Sequence, residues 1–290
     1  MKWKRVLFRK VDLDTLVAAY IANCSEDSDI KKVYMASEEE LLDPNILCLE
    51  VGGAGLVIYN NFDHHDPFIP YPPASFQAWL KFREIFWKDE TSSKLNYLYK
   101  LVLYTTCIDE AIPLQLKTPH LSSLISGLIL VEKKEELAFR KGLRLIKAMV
   151  VCNLDPFGEL DMVKLAEVSQ LPIYDYLFAK EENTKKLLSD LAKVKFYYTA
   201  EKKFRVAILI TEAVGGLKYL AEQGADVSVI FCPSLKKYTI ASRKVSLLPL
   251  LERLREIEPG WGGRVSIIGS PFEGSRLTPE KLIDIIVMTY

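Results

Sequence analysis

Apolar and polar positions along the chain fall into two separate successions of strand-like and helix-like pattern. In the first, Arg5-Val6-Leu7-Phe8 reads as a short strand, followed by a loop over 9–13 and a helix over 16–22 capped by Asp14 or Thr15. Further strands are predicted over 32–35, 46–49 and 55–59, the middle one a pure apolar run, Ile46-Leu47-Cys48-Leu49. Glu38, Glu39 and Glu40 form a solvated helix face, and a proline-rich loop with Tyr71 runs from Pro67 to Pro73. Periodicity then predicts a helix over 75–86 with Phe76, Trp79, Leu80 and Phe82 inward, and an apolar helical segment over 95–106. More helix follows over 121–153 and 162–171, with His120 as a surface or capping residue.

A charged amphipathic helix over 181–195 marks a linker, and a fresh alternation begins after it. Strands are predicted over 204–210, 227–231 and 237–243, the last two paired through a turn at Pro233-Ser234. Helices are predicted over 213–223 and 247–257, and Thr278 caps a last helix with Pro279 at its first position. This gives an α/β chain. A mainly parallel sheet flanked by helices occupies 1–180, a helical linker 181–195, and a second, smaller α/β domain 196–290.

Length and charge narrow the function classes. At 290 residues the chain is long enough for two domains. Its 38 basic and 38 acidic residues cancel, which argues against long nucleic acid held nonspecifically. The five cysteines form no CxxC pair and lie in apolar stretches, as small hydrophobes of a reduced compartment would. No apolar run reaches the ~18 residues of a membrane span. The basic start of the chain is followed by no secretory h-region, and the expectation is a soluble cytoplasmic protein without a membrane partner.

Candidate chemistry sits at the ends of the first strands. Asp12 and Asp14 occupy a strand-to-helix turn, where one carboxylate would cap and two repel. Glu50, before Gly52 and Gly53, follows the run 46–49. Asp63-His64-His65 follows the strand predicted over 55–59 and contains two of the three histidines in the chain. Asp109 ends the apolar segment after 95. In an open parallel sheet the C-terminal strand ends share one edge, where ligands bind. Carboxylates gathered there repel one another unless a cation lies between them. Imidazole and carboxylate together suit Mn, Fe or Zn, and a two-metal centre can neutralise a phosphoryl group in transfer.

Those residues, in order, resemble the motifs of the DHH phosphoesterases with a C-terminal DHHA1-type domain. Val11-Asp12-Leu13-Asp14-Thr15, Leu49-Glu50-Val51-Gly52-Gly53, Asp63-His64-His65 and Thr105 through Asp109 are similar to its four N-terminal motifs. Ile240-Ala241-Ser242-Arg243 resembles its substrate-binding strand, and Trp261-Gly262-Gly263-Arg264 followed by Gly269 its phosphate-holding loop.

The resemblance implies a divalent-metal-dependent hydrolase. Asp12, Asp14, Glu50, His64 and Asp109 would hold one or two ions, with Mn first and Mg, Co or Fe as alternatives. Asp63, His64 and His65 would be catalytic, and His65, Arg243, Gly262, Gly263 and Arg264 would bind substrate. The implied substrate is a phosphate ester such as a short oligonucleotide, a cyclic dinucleotide or a nucleotide, and a homodimer is compatible with it. Three positions depart from the family pattern: Phe8 and Arg264 stand where it has histidine, and Glu50 where it has aspartate. Phe8 removes one ligand. The alternative reading is therefore a protein of the same fold that binds a phosphate ligand without turning it over.

Overall fold

The computed structural model describes residues 3–66, 69–116, 119–199 and 203–290. The chain divides into two compact units, Met1–Lys180 and Glu181–Tyr290.

The first unit is built on four parallel strands: β1 (Arg5–Phe8), β2 (Ile30–Lys32), β3 (Ile46–Leu49) and β4 (Asn61–Phe62), in the order β2-β1-β3-β4. The apolar runs of β1 and β3 suit central strands covered on both faces, and β3 is buried throughout. Successive residues of β3 point to opposite faces. Leu47 and Leu49 join the large core, while Ile46 and Cys48 join a smaller cluster with Leu7, Ala36 and Val51.

Helices α1 (Leu13–Ile21), α3 (Ala74–Phe86), α4 (Ser92–Asp109), α5 (Leu121–Val131), α6 (Glu135–Cys152) and α7 (Met162–Ser169) belong to the large core, and the short α2 (Glu38–Leu42) places Leu41 on the other face. Each large apolar side chain buried there contributes about 2 kcal/mol. A Cβ on Gly127 of α5 would lie 1.8 Å from the carbonyl oxygen of Tyr176, so only glycine permits that approach.

Helix α8 (Ile173–Leu191) starts in the first unit and ends in the second, where Leu187 and Leu191 pack under the sheet. That six-stranded sheet has the order β5 (Lys195–Tyr198), β6 (Arg205–Ile210), β7 (Val227–Cys232), β8 (Lys237–Ser242), β10 (Ile267–Gly269), β9 (Gly262–Arg264). Only β6 and β7 are parallel neighbours. Helix α9 (Leu217–Glu222) covers one face through Leu220. Helices α10 (Leu248–Ile257) and α11 (Pro279–Thr289) cover the other through Leu250, Leu254, Leu282 and Ile286.

Several local expectations are corrected. The strand expected over 32–35 is β2, two residues earlier. Residues 57–59 form a single 3₁₀ turn, and the two-residue β4 takes the place of the strand expected there. Asp12, not Asp14 or Thr15, caps α1 by accepting the Thr15 N–H. Leu80 is exposed, whereas Trp79 and Phe82 are buried. The charged helix expected over 181–195 is the end of the longer α8, which stops at Leu191, and Lys195 already opens β5. The segment 262–264 is a strand of a β-hairpin rather than a loop. His120 caps α5, as expected. Cys24, Cys107 and Cys232 are half-buried, and only Cys48 and Cys152 are buried. Of the stretch Pro67–Pro73, residues 67 and 68 lie outside the described residues. Among the described residues no helix is long and apolar enough to cross a membrane.

Candidate metal centre

The C-terminal ends of β1, β3 and β4 supply most of the centre, because parallel strands deliver their ends to one edge. Glu50 follows β3 and Asp63 follows β4, while Asp12 caps α1 after β1 and Asp14 lies in the first turn of that helix. Asp109 arrives from elsewhere, as the last residue of α4.

His64 ties the edge to that helix. Its Nε2 lies 3.4 Å from Glu50 Oε1 and its Nδ1 3.5 Å from Asp109 Oδ2. Two donor groups result. Asp14, His64 and Asp109 each offer an atom within 4.8 Å of the others, and so do Glu50, His64 and His65. His64 is common to both. A neutral imidazole has one lone pair, so in either group it can serve a single ion through one nitrogen.

The electrostatics favour a cation. Asp14 is 2 % exposed and Glu50 4 %, unusual burial for carboxylates. Burial, reinforced by the charge of Asp109, pushes the Asp14 carboxyl up to about 7. Glu50 is raised well above the usual carboxylate range by burial and then by Asp12, Asp14 and Asp109. Asp109 is also raised, first by burial. Three raised carboxyls around one imidazole form a donor set that could hold a metal ion. Glu50 reaches this position through a left-handed backbone with φ of 56°, which a non-glycine residue adopts at a cost of about 1 kcal/mol or more.

Asp14 also has a structural task. Its carboxylate accepts the N–H groups of Ala74 at 2.7 Å and Ser75 at 3.0 Å, closing the N-terminus of α3, whose N-cap Pro73 has no side-chain acceptor. Asp12 lies outside both donor groups: Oδ1 accepts from Thr15 N at 3.0 Å and Oδ2 lies 3.4 Å from Lys10 Nζ.

Asp63 is an orienting group. It accepts the Gly52 N–H at 2.7 Å and the His65 N–H at 2.7 Å, and lies 2.9 Å from His65 Nδ1. Burial alone would raise its carboxyl, but these donors outweigh it and hold the group below the usual range. The contact sets the His65 proton on Nδ1 and leaves Nε2 as the lone-pair nitrogen.

One residue of the site escaped the sequence reading. It is Lys10, its ammonium raised by Asp12 first, with burial opposing and Glu50 and Asp109 adding to the rise. A basic residue two positions before an acid was the available signal. Phe8, which stands where the resembled family has histidine, is fully buried and packs on Phe139 at 4.6 Å between ring centroids. It belongs to the core and cannot be a ligand.

In the second unit, Ile267 faces Ala241 on one side and Arg264 on the other. Because β10 is antiparallel to both β8 and β9, those two strands run the same way, and Arg243 and Arg264 lie at the same end of the sheet. Both are exposed. Gly263 has φ of 138°, and a Cβ there would lie 2.3 Å from Ile267 O, so its own hairpin demands glycine. A Cβ on Gly262 would meet nothing within 4 Å.

The chain is similar in structure to a solved DHH-domain protein described as a member of the s1p family of ribosomal proteins. The TM-score is 0.54 and the identity 13 %, over 98 % of this chain and 85 % of that one. At that identity the likeness establishes the fold, which is DHH-like. A second solved structure, an uncharacterized protein from Helicobacter pylori G27, covers 98 % of both chains at 11 % identity, but its TM-score of 0.34 carries no argument. No protein-family model and no curated protein matches the sequence.

Proposed function

We propose that the protein is a divalent-metal-dependent phosphoesterase, with Mn the first candidate ion. The observation that carries this reading is the convergence of Asp14, Glu50, His64 and Asp109 at the C-terminal edge of a parallel sheet, with all three carboxyls raised. The DHH-like fold supports the same reading. Asp14, His64 and Asp109 would hold one ion; with His64 committed there, Glu50 and His65 would be the residues left to hold a second. A bound divalent ion supplies charge neutralisation and Lewis acidity toward a phosphoryl group.

The chain's own residues then divide the remaining work. His65, at the exposed rim and oriented by Asp63, can accept or return a proton at Nε2. Asp12 fixes the turn after β1, and Asp14 anchors α3. Arg243 and Arg264 are the residues assigned to holding substrate phosphate, Arg264 with a planar fork of donors where the resembled family has histidine. The substrate class is a phosphate ester small enough not to need a continuous basic groove: a nucleotide, a cyclic dinucleotide or a short oligonucleotide.

A second reading, phosphate-ligand binding without turnover, is favoured by the loss of a ligand at Phe8 and by Lys10 standing beside Asp12 as a resident cation. The test is to strip the purified protein with chelator, restore Mn, and assay a short oligonucleotide, a cyclic dinucleotide and a model diester. Hydrolysis that requires Mn and disappears in His64→Ala is expected. Stoichiometric Mn without hydrolysis of any of them would favour the second reading.

A further inference from the structure

The loop 9–11 joins β1 to the cap of α1 and is pinned on both sides. Arg9 donates its N–H to Leu49 O at 3.3 Å, and Phe8 O accepts the N–H of Val33 at 2.9 Å. Val11 is 2 % exposed, and Asp12 is fixed by accepting the Thr15 N–H. Lys10 is carried between these anchors, at the C-terminal edge of the sheet where the acids gather. A residue held this way on a short, anchored loop is preorganised, so little backbone freedom is lost when it meets a ligand.

The side chain of Lys10 is 72 % exposed, and its Nζ lies 3.4 Å from Asp12 Oδ2. An ion pair so exposed adds little to stability. What it does is set the place of the ammonium. Asp12 is the one ion-pair partner of Lys10 among the described residues, and an ammonium has three donors, so two N–H groups remain for a ligand. The charge of Lys10 also acts on Glu50 and Asp109, which places it over the acid edge. Arg9, the neighbouring cation, is engaged elsewhere: its guanidinium lies 4.9 Å from the centroid of the Tyr34 ring. Asp12 belongs to neither donor group, and both of its oxygens have other work.

We propose that Lys10 is a phosphate-binding residue of this centre, donating to a non-bridging oxygen of the substrate's phosphoryl group, and that Asp12 is the positioning residue that holds it there. The inference rests on the phosphoesterase reading and deepens it. The first unit then carries a phosphate contact of its own, and Asp12 serves the lysine rather than an ion.

The test titrates inorganic phosphate calorimetrically into the full-length protein loaded with Mn. Lys10→Ala, at an exposed position that leaves the core intact, should weaken phosphate binding by about tenfold or more, the worth of one charge-assisted hydrogen bond, and Lys10→Arg should restore most of it. Arg9→Ala removes the same charge one residue away and should change phosphate affinity by about twofold or less, since a screened surface charge acts weakly at a distance. Asp12→Asn keeps a capping oxygen and should weaken phosphate binding while costing far less Mn affinity than His64→Ala.

Phosphate affinity unchanged in Lys10→Ala, equal losses in Arg9→Ala and Lys10→Ala, or no phosphate binding by the Mn-loaded wild type would overturn the inference. So would a second equivalent of Mn taken up by Lys10→Ala with phosphate affinity unchanged, which would make the ammonium a stand-in for an ion. Mn affinity lost in Asp12→Asn as fully as in His64→Ala would make Asp12 a ligand and overturn the tether. Mn uptake with phosphate binding indifferent to Lys10 removes this inference alone. A wild type that takes up no Mn removes the phosphoesterase reading, and this inference with it.

Discussion

The edge of the first sheet and the hairpin end of the second carry charges of opposite sign in opposite settings. At the first, three carboxyls are raised by burial and by one another around His64. At the second, Arg243 and Arg264 share one end of a mixed sheet in solvent. Buried groups of one sign create a physical demand for a counter-charge, whereas exposed ones are hydrated at little cost. The same contrast holds for the backbone. Gly263 is explained by its own hairpin, whereas the left-handed Glu50 is held against its preference at a strand end. The first region therefore calls for a ligand on structural grounds. The second only permits one.

The largest expected effect breaks that comparison at its first term. Asp109→Asn and His64→Ala should each weaken Mn binding by about 100-fold or more, since each removes a direct donor and losing a group that merely orients a ligand already costs about 10–100-fold. Arg264→Ala should leave Mn binding unchanged. Equal Mn affinity in wild type and both centre variants, measured by calorimetry, would place any bound ion elsewhere.

The next effect is on pH dependence. Folded Asp14 keeps its proton up to about 7, whereas an unfolded aspartate has lost it well below that. Between those values the folded state binds more protons than the unfolded one, so stability falls as pH rises. Chelated protein should accordingly lose thermal stability as pH climbs from the usual carboxyl range to about 7. With Mn saturating, the ionised carboxyl is compensated and the decline should vanish or reverse. Mn affinity should rise over the same interval, because binding releases the proton. A chelated protein whose melting temperature is flat across that range would show that Asp14 is already ionised and solvated.

The smallest effect concerns the arginines. Arg243→Ala and Arg264→Ala should each raise KM for a phosphate ester by roughly tenfold, the worth of one charge-assisted hydrogen bond, with kcat less affected. Unchanged KM in both would confine the chemistry to the first unit.

Much of this was legible in the chain because the central strands are continuous apolar runs. Ile46-Leu47-Cys48-Leu49 is buried on both faces, and nothing in it competes with a strand assignment. The edge strands were not legible. β2 carries two exposed lysines after Ile30, and β4 is the pair Asn61-Phe62, too short for any period to show. β5 was hidden behind a charged helix whose pattern runs almost into it. At the site, the acid positions could be read from their place after apolar runs. The second task of Asp14, holding N–H groups 60 and 61 residues away, depends on tertiary packing that no local pattern encodes.

The central claim is that the C-terminal edge of the first sheet holds a divalent cation, and anomalous scattering from crystals soaked in Mn tests it most directly. The account predicts a Mn peak bounded by Asp14, His64 and Asp109, with or without a second beside Glu50 and His65. Crystals saturated with Mn that show no peak among these residues, while their carboxylates stay paired only with protein donors such as Lys10 and the α3 N-terminus, would contradict it.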